Sequence, residues 1–142
     1  MTGSIARQIA VFACAAPDMS AEVQHAADRA ILDTLGAIIA GGAHPATQAL
    51  VVSLPHHAGQ ATLATGGACD TETAALVNGM AAHVWDIDDT SYTGIMHGSA
   101  VVLPAVLALA QETGADEAMI RHAFIVGSEV TYVLADRRAC HK

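Results

Sequence analysis

From Gly98 to Ala110 the chain reads GSAVVLPAVLALA, without one charged side chain. Val101, Val102, Leu103, Val106, Leu107 and Leu109 leave it almost no polar face. A helix that is apolar all round has to be covered by other elements. The run therefore predicts a central helix over about 99–112, buried on every side. It is too short to span a bilayer, and Pro104 interrupts it. With Ser99 as the cap, Pro104 falls just past the free N–H groups and is expected to kink the helix. The rest of the chain must supply the cover. Its 142 residues suffice for one domain with a real core. Yet only 14% are charged and 53% are hydrophobic, against about 25% charged in a typical soluble domain. A surface so poor in charge implies either a further face buried against a partner or one piece of a larger protein.

The covering elements read as helices. Ile5, Ile9, Phe12 and Ala13 recur at helical spacing, and Pro17-Asp18-Met19-Ser20 breaks that segment. Asp18 or Ser20 can cap a second helix over about 21–40, since either side-chain oxygen can accept from an orphan N–H. Its expected buried stripe is Val23, Ala27, Ala30, Ile31, Leu35, Ile38 and Ile39, with Gly41-Gly42 as its end. Gly36 inside it costs about 1 kcal/mol against Ala, for which close helix–helix contact is the expected compensation. Pro45 suits the first turn of a third helix ending near Leu54-Pro55. The stretch 61–67, ATLATGG, supports at most a small hairpin. Asp70 or Thr71 caps a fourth helix over about 72–84, with Leu76, Met80 and Val84 on one face. Gly114-Ala115-Asp116 turns into a last helix over about 117–135, whose apolar positions are Ile120, Phe124, Val130, Val133 and Leu134. The fold class is all-α, a multi-helix, bundle-like array with at most one short β hairpin.

Charge and cysteine usage exclude several classes. The net charge is -8, and the six cations, Arg7, Arg29, Arg121, Arg137, Arg138 and Lys142, are scattered apart from one pair. No basic stripe exists to neutralise phosphates, so no nucleic-acid partner is expected, and no membrane partner. Cys14, Cys69 and Cys140 are far apart and odd in number, which suits reduced thiols in a cytoplasm. The start, 5–16, is interrupted by Gln8 and too thin in charge for a signal peptide.

The candidate chemistry sits between the fourth and fifth helices. Asp86, Asp88 and Asp89 are followed by Thr90, with His83 and His97 flanking them. A polar cluster between greasy segments is a loop that a rigid scaffold presents. Asp86-Ile87-Asp88-Asp89-Thr90 fits the DxDxT pattern of phosphatases that form an aspartyl-phosphate, a remote alternative that needs a buried parallel strand just before the motif. His83 and Asp86 with Asp88 or Asp89 have the makings of a metal site, but no second cluster appears along the chain, and the expectation is no metal and no cofactor. Asp88 and Asp89 are expected to face water or a helix N-terminus. His25, His44, His56, His57, His122 and His141 show no partner pattern, and Ser99 lacks the glycine elbow of a nucleophile.

The order of these blocks resembles one family. Asn78-Gly79, Ala82-His83 and Asp86-Ile87-Asp88-Asp89 look like its NG, AH and DxDD signature. His97-Gly98-Ser99, Pro104-Ala105 and 107–110 look like its HPS and PA-x-LALA run. Leu32-Asp33-Thr34-Leu35-Gly36 and Gly127 with Glu129-Val130 match further blocks. This is the MmgE/PrpD family, which includes 2-methylcitrate dehydratase, cis-aconitate decarboxylase and an iminodisuccinate epimerase. The resemblance covers the chain up to about Leu134 and leaves 135–142 as a divergent tail. Family members are about three times longer, so residues 1–142 resemble the N-terminal portion of their helical domain, a truncated fragment expected to be inactive alone. The resemblance implies a lyase that acts on a small di- or tricarboxylate without metal or iron–sulfur cluster. It implies that Asp86, Thr90 and His97 line the pocket, that a catalytic lysine lies in sequence outside these residues, and that members dimerise through this domain. Three positions depart from the pattern: Gly98 for the usual Pro, Ser128 for Tyr, and Val133 for Arg.

On the chemistry, removing water or carbon dioxide from a polycarboxylate needs a base, an acid and cations for the carboxylates. His97 is the candidate acid or base, because a free imidazole titrates near neutrality. Asp86 is its catalytic companion, by orienting an imidazole or binding a substrate hydroxyl; Thr90 and His83 are the candidate substrate-binding residues. No Lys or Arg lies near the loop in sequence, so the positive charge must come from elsewhere. The alternative is a non-catalytic helical remnant that acts only by association.

Overall fold

The computed structural model describes residues 4–15, 18–55, 57–92 and 94–136. Six helices and one two-stranded antiparallel hairpin make up these residues: α1 (Ile5–Cys14), α2 (Ala21–Gly42), α3 (Pro45–Ser53), β1 (Ala61–Thr62), β2 (Ala68–Cys69), α4 (Thr71–His83), α5 (Gly98–Thr113) and α6 (Glu117–Ala135). The fold is mostly α with a short hairpin, as the periodicity predicts. The break at Pro17, His56 and the tail residues Arg137, Arg138, Cys140, His141 and Lys142 lie outside the described residues. No single helix among the described residues is long and apolar enough to cross a membrane; only α2 and α3, which meet at 78°, satisfy length and composition as a pair.

Helix α5 is central, packing against α4, α6, α2 and β1. Leu103, Pro104 and Ser99 are fully buried along it. It is not covered on all sides, however. Val101 and Leu109 are exposed and share one face with exposed Ala105, since residues four apart stack on a helix. Glycine in the αL conformation at Gly114 ends it. Ser20, Asp70 and Asp116 cap α2, α4 and α6 by accepting from the third backbone N–H beyond them.

The helices meet through small residues rather than large ones. In α4 the buried face is Ala74, Val77, Asn78, Ala81 and Ala82, while Leu76 is half-exposed. In α2 the buried residues are Ala27, Thr34, Ala37, Ile38, Gly41 and Gly42, and Val23 and Ile39 are exposed. Gly41-Gly42 does not stop α2 before its last turn; both glycines are helical and packed. A Cβ on Gly41 would overlap the backbone of Ala81, so this glycine sets how closely α2 approaches α4. Gly36, by contrast, has nothing near it. The expected close contact belongs to Gly41, one turn further on.

The two ends that flank the acidic loop are pinned separately. At the end of α4, Trp85 Nε1 donates to the Ala40 carbonyl at 3.2 Å, and its ring meets His44 edge-on at 4.6 Å. Buried Asn78 ties α4 to the hairpin: its Oδ1 accepts from Ala64 N and its Nδ2 donates to Thr62 O, both at 2.8 Å. That double bond explains an amide at this position, which must be satisfied once buried. At the start of α5, His97 takes the N-cap position without capping through its side chain, and Ser99 lies inside the first turn. Asp89 does the capping from the loop, accepting from Ser99 N at 3.0 Å and from Ser99 Oγ at 2.6 Å. The phenol of Tyr132 in α6, raised first by burial, lies close enough to the same carboxylate for its charge to help push the phenol up. Its hydroxyl occupies the space in which a Cβ on Gly98 would stand.

Two tests follow from these contacts. Gly36→Ala should raise stability in urea titration by about 0.5–1 kcal/mol, through propensity alone. Gly41→Ala should lower it by about 1–3 kcal/mol, because an added methyl has no room. Gly98→Ala should be destabilising with Tyr132 present and milder in a Tyr132→Ala background; a double-mutant cycle should give a coupling above about 0.5 kcal/mol.

Candidate functional site

The loop between α4 and α5 doubles back so that the last turn of α4 faces the first turn of α5. Asp86 N donates to His83 O at 2.8 Å, which turns the chain out of α4. The Ser91–Met96 bridge closes the far side, with Ser91 N donating to Met96 O at 2.8 Å. Two non-glycine residues, Asp86 at φ 53° and Ile95 at φ 51°, hold left-handed backbone. Asp tolerates that region, whereas a β-branched side chain there is strained. Strain of this kind persists only where the surroundings fix it, and here it brackets the polar cluster.

At the centre stands Asp88, whose side chain is wholly shielded from solvent. Its Oδ1 lies 3.0 Å from His83 Nδ1 and its Oδ2 lies 3.2 Å from His97 Nδ1. The second contact lacks the alignment of a hydrogen bond, and Oδ2 has no hydrogen-bond partner. A buried carboxylate needs compensation; His83 supplies it at Oδ1, and Oδ2 has only the misaligned His97 beside it. Their rings sit 4.4 Å apart at 59°. Thr90 Oγ1 lies 3.4 Å from His97 Nδ1, and Asp86 Oδ1 lies 3.8 Å from His97 Nε2. His97 therefore turns Nδ1 inward and Nε2 toward exposed Asp86.

All four residues named from the sequence, His83, Asp86, Thr90 and His97, come together here. Asp88 does not face water or a helix end, as expected of it, but is the buried hub. The imidazole-orienting position expected of Asp86 is held by Asp88. Asp89 does meet a helix N-terminus. Tyr132 lies far away in sequence and had no signal of its own; burial first, then the Asp89 carboxylate, pushes its phenol up.

His83 and His97 open onto a groove of ≈ 680 Å³ between α4 and α5 whose other walls include Leu50, Leu76, Met80 and Val101. Among the described residues the groove walls carry no cation. Arg121 is instead paired with Asp28 through its Nε. A second groove, of ≈ 370 Å³ between α1 and α6, is lined by Ile5, Phe12, Val130 and Val133, with Glu129 as the one ionisable group among the described residues that line it. The acidic motif follows α4 rather than a parallel strand, so the setting that aspartyl-phosphate chemistry requires is missing around it.

No curated protein and no solved structure matches the chain. The profile of the MmgE/PrpD N-terminal domain matches residues 7–142. That span takes in both flanks of the loop, every residue of the Asp88 cluster and the helices that hold it, and the chain belongs to the MmgE/PrpD family.

Proposed function

We propose that this chain forms one wall of the active site of a lyase, a dehydratase or decarboxylase for a small di- or tricarboxylate such as 2-methylcitrate. The observation that carries the reading is the placement of His97. Its Nδ1 is held against Asp88 and Thr90 while its Nε2 faces Asp86 at the rim of the groove.

A dehydration removes a proton from the carbon next to a carboxylate and sends the hydroxyl off as water once it has taken a proton; a decarboxylation breaks the bond to the departing carbon dioxide and delivers a proton to the carbon left behind. A hydroxyl and a carboxylate beside Nδ1 would favour the tautomer whose Nε2 lone pair is free to take a proton. Asp86, exposed and 3.8 Å from Nε2, would accept from a substrate hydroxyl beside the imidazole. Thr90 would donate to a substrate carboxylate, and His83 lines the groove next to His97. The leucine, methionine and valine walls take the substrate's carbon skeleton and exclude water. Three aspartates in the loop repel an anion, so the cations that bind the carboxylates come from sequence beyond these residues, from a further part of the protein or from a partner. The exposed Val101 and Leu109 face of α5 is the kind of surface such a part would cover.

The 142-residue chain alone should give no rise in enoate absorbance with 2-methylcitrate and no release of carbon dioxide from cis-aconitate. Joined to a lysine-bearing C-terminal part of this family, it should turn over, and His97→Ala should lower kcat by about 10²–10⁴-fold. Robust turnover by the joined protein that survives His97→Ala would remove the assignment.

A further inference from the structure

We infer that His83, Asp86, Asp88 and His97 form a binding site for one divalent ion of the zinc kind. Along the sequence the metal reading fails for want of a second cluster. Folding supplies one, because α5 brings His97 back onto the acidic loop. One ligand atom from each of the four residues then lies within 4.8 Å of the other three. At Asp88 the spacings are 3.0 Å to His83 Nδ1 and 3.2 Å to His97 Nδ1, while Asp86 Oδ1 stands 3.8 Å from Nε2, the other ring nitrogen of His97. A tetrahedral ion with bonds of about 2.0–2.1 Å holds its ligands about 3.3 Å apart, so an ion held at Asp88 and the two Nδ1 atoms matches those spacings and takes exposed Asp86 as its fourth ligand once that side chain rotates.

An independent observation points the same way. Asp88 Oδ2 is buried, has no hydrogen-bond partner and is aimed into the cluster. An acceptor in that state lacks the partner that nearly every buried oxygen finds. A cation satisfies it, and relieves the repulsion between the neighbouring carboxylates. Two imidazoles with two carboxylates select a borderline ion over magnesium or calcium, which take oxygen ligands alone.

The consequence for catalysis rests on the lyase reading, whereas binding does not. The family resemblance implies a metal-free reaction, so the ion competes with it: a metal on Nδ1 of His97 moves the ring proton to Nε2 and leaves no lone pair there to take another. Divalent zinc at this site would hold the enzyme off until removed.

Binding is tested on the 142-residue chain with Co²⁺ and Zn²⁺ as probes, without any assay of turnover. Expected are one Co²⁺ per chain with the intense visible absorption of a four-coordinate ion, displacement by Zn²⁺, and no displacement by Mg²⁺. His83→Ala and Asp86→Asn, both at solvent-reached side chains, should each weaken Zn²⁺ at least about tenfold, with the helical circular dichroism kept. His25→Ala, on the exposed side of α2, should bind as the parent does. A pale spectrum of the hydrated ion, or variants that bind like the parent, would overturn the site and leave the lyase reading where it stands.

Discussion

Two neighbouring carboxylates, Asp88 and Asp89, join the end of α4 to the start of α5, and the geometry of the cluster depends on that join. Asp89 serves the backbone. It satisfies an N–H and the hydroxyl of Ser99 in a helix whose own N-cap residue offers no side-chain acceptor. Asp88 serves the side chains, drawing one imidazole from each helix toward its two oxygens. Adjacent residues in a tight loop point different ways, so one acid is turned to the peptide dipoles and the other to the histidines. Neither acid could move without dragging a helix end with it.

The helical array was legible because its signals are local. Proline at 45, the caps at Ser20, Asp70 and Asp116 and the glycine at 114 act within a turn of where they stand. Which face each helix buries was less legible. Periodicity favours the largest apolar residues, and so Leu76, Val23 and Ile39 were expected inside. The packing instead uses Ala74, Ala81, Ala37 and Gly41, because helices that approach until their backbones nearly touch have room only for small side chains. The large residues left outside are the charge-poor surface that the composition announces.

The cluster was legible as a set of residues and not as an arrangement. The spacing of Asp86, Asp88 and Asp89 says nothing about which acid is buried; the loop, left-handed at Asp86, leaves Ile87 exposed and turns Asp88 inward. The return of His97 onto the loop depends on the Ser91–Met96 bridge, and the part played by Tyr132 depends on contact across more than thirty positions of chain. Family resemblance located the histidine, the threonine and Asp86. Only the fold gives Asp88 its central place.

The resemblance leads to the expectation of proline after the histidine, but this chain carries Gly98, and the hydroxyl of Tyr132 from the last helix stands where a Cβ on it would be. A proline ring fixes the backbone from within, whereas an aromatic side chain fixes it from across the molecule. The orientation of His97 is thereby tied to the seating of α6. A tilt of that helix reaches the residue beside the imidazole through this hydroxyl as well as through the packing of α6 on α5, so control of the bend passes from covalent stiffness to the way distant helices settle.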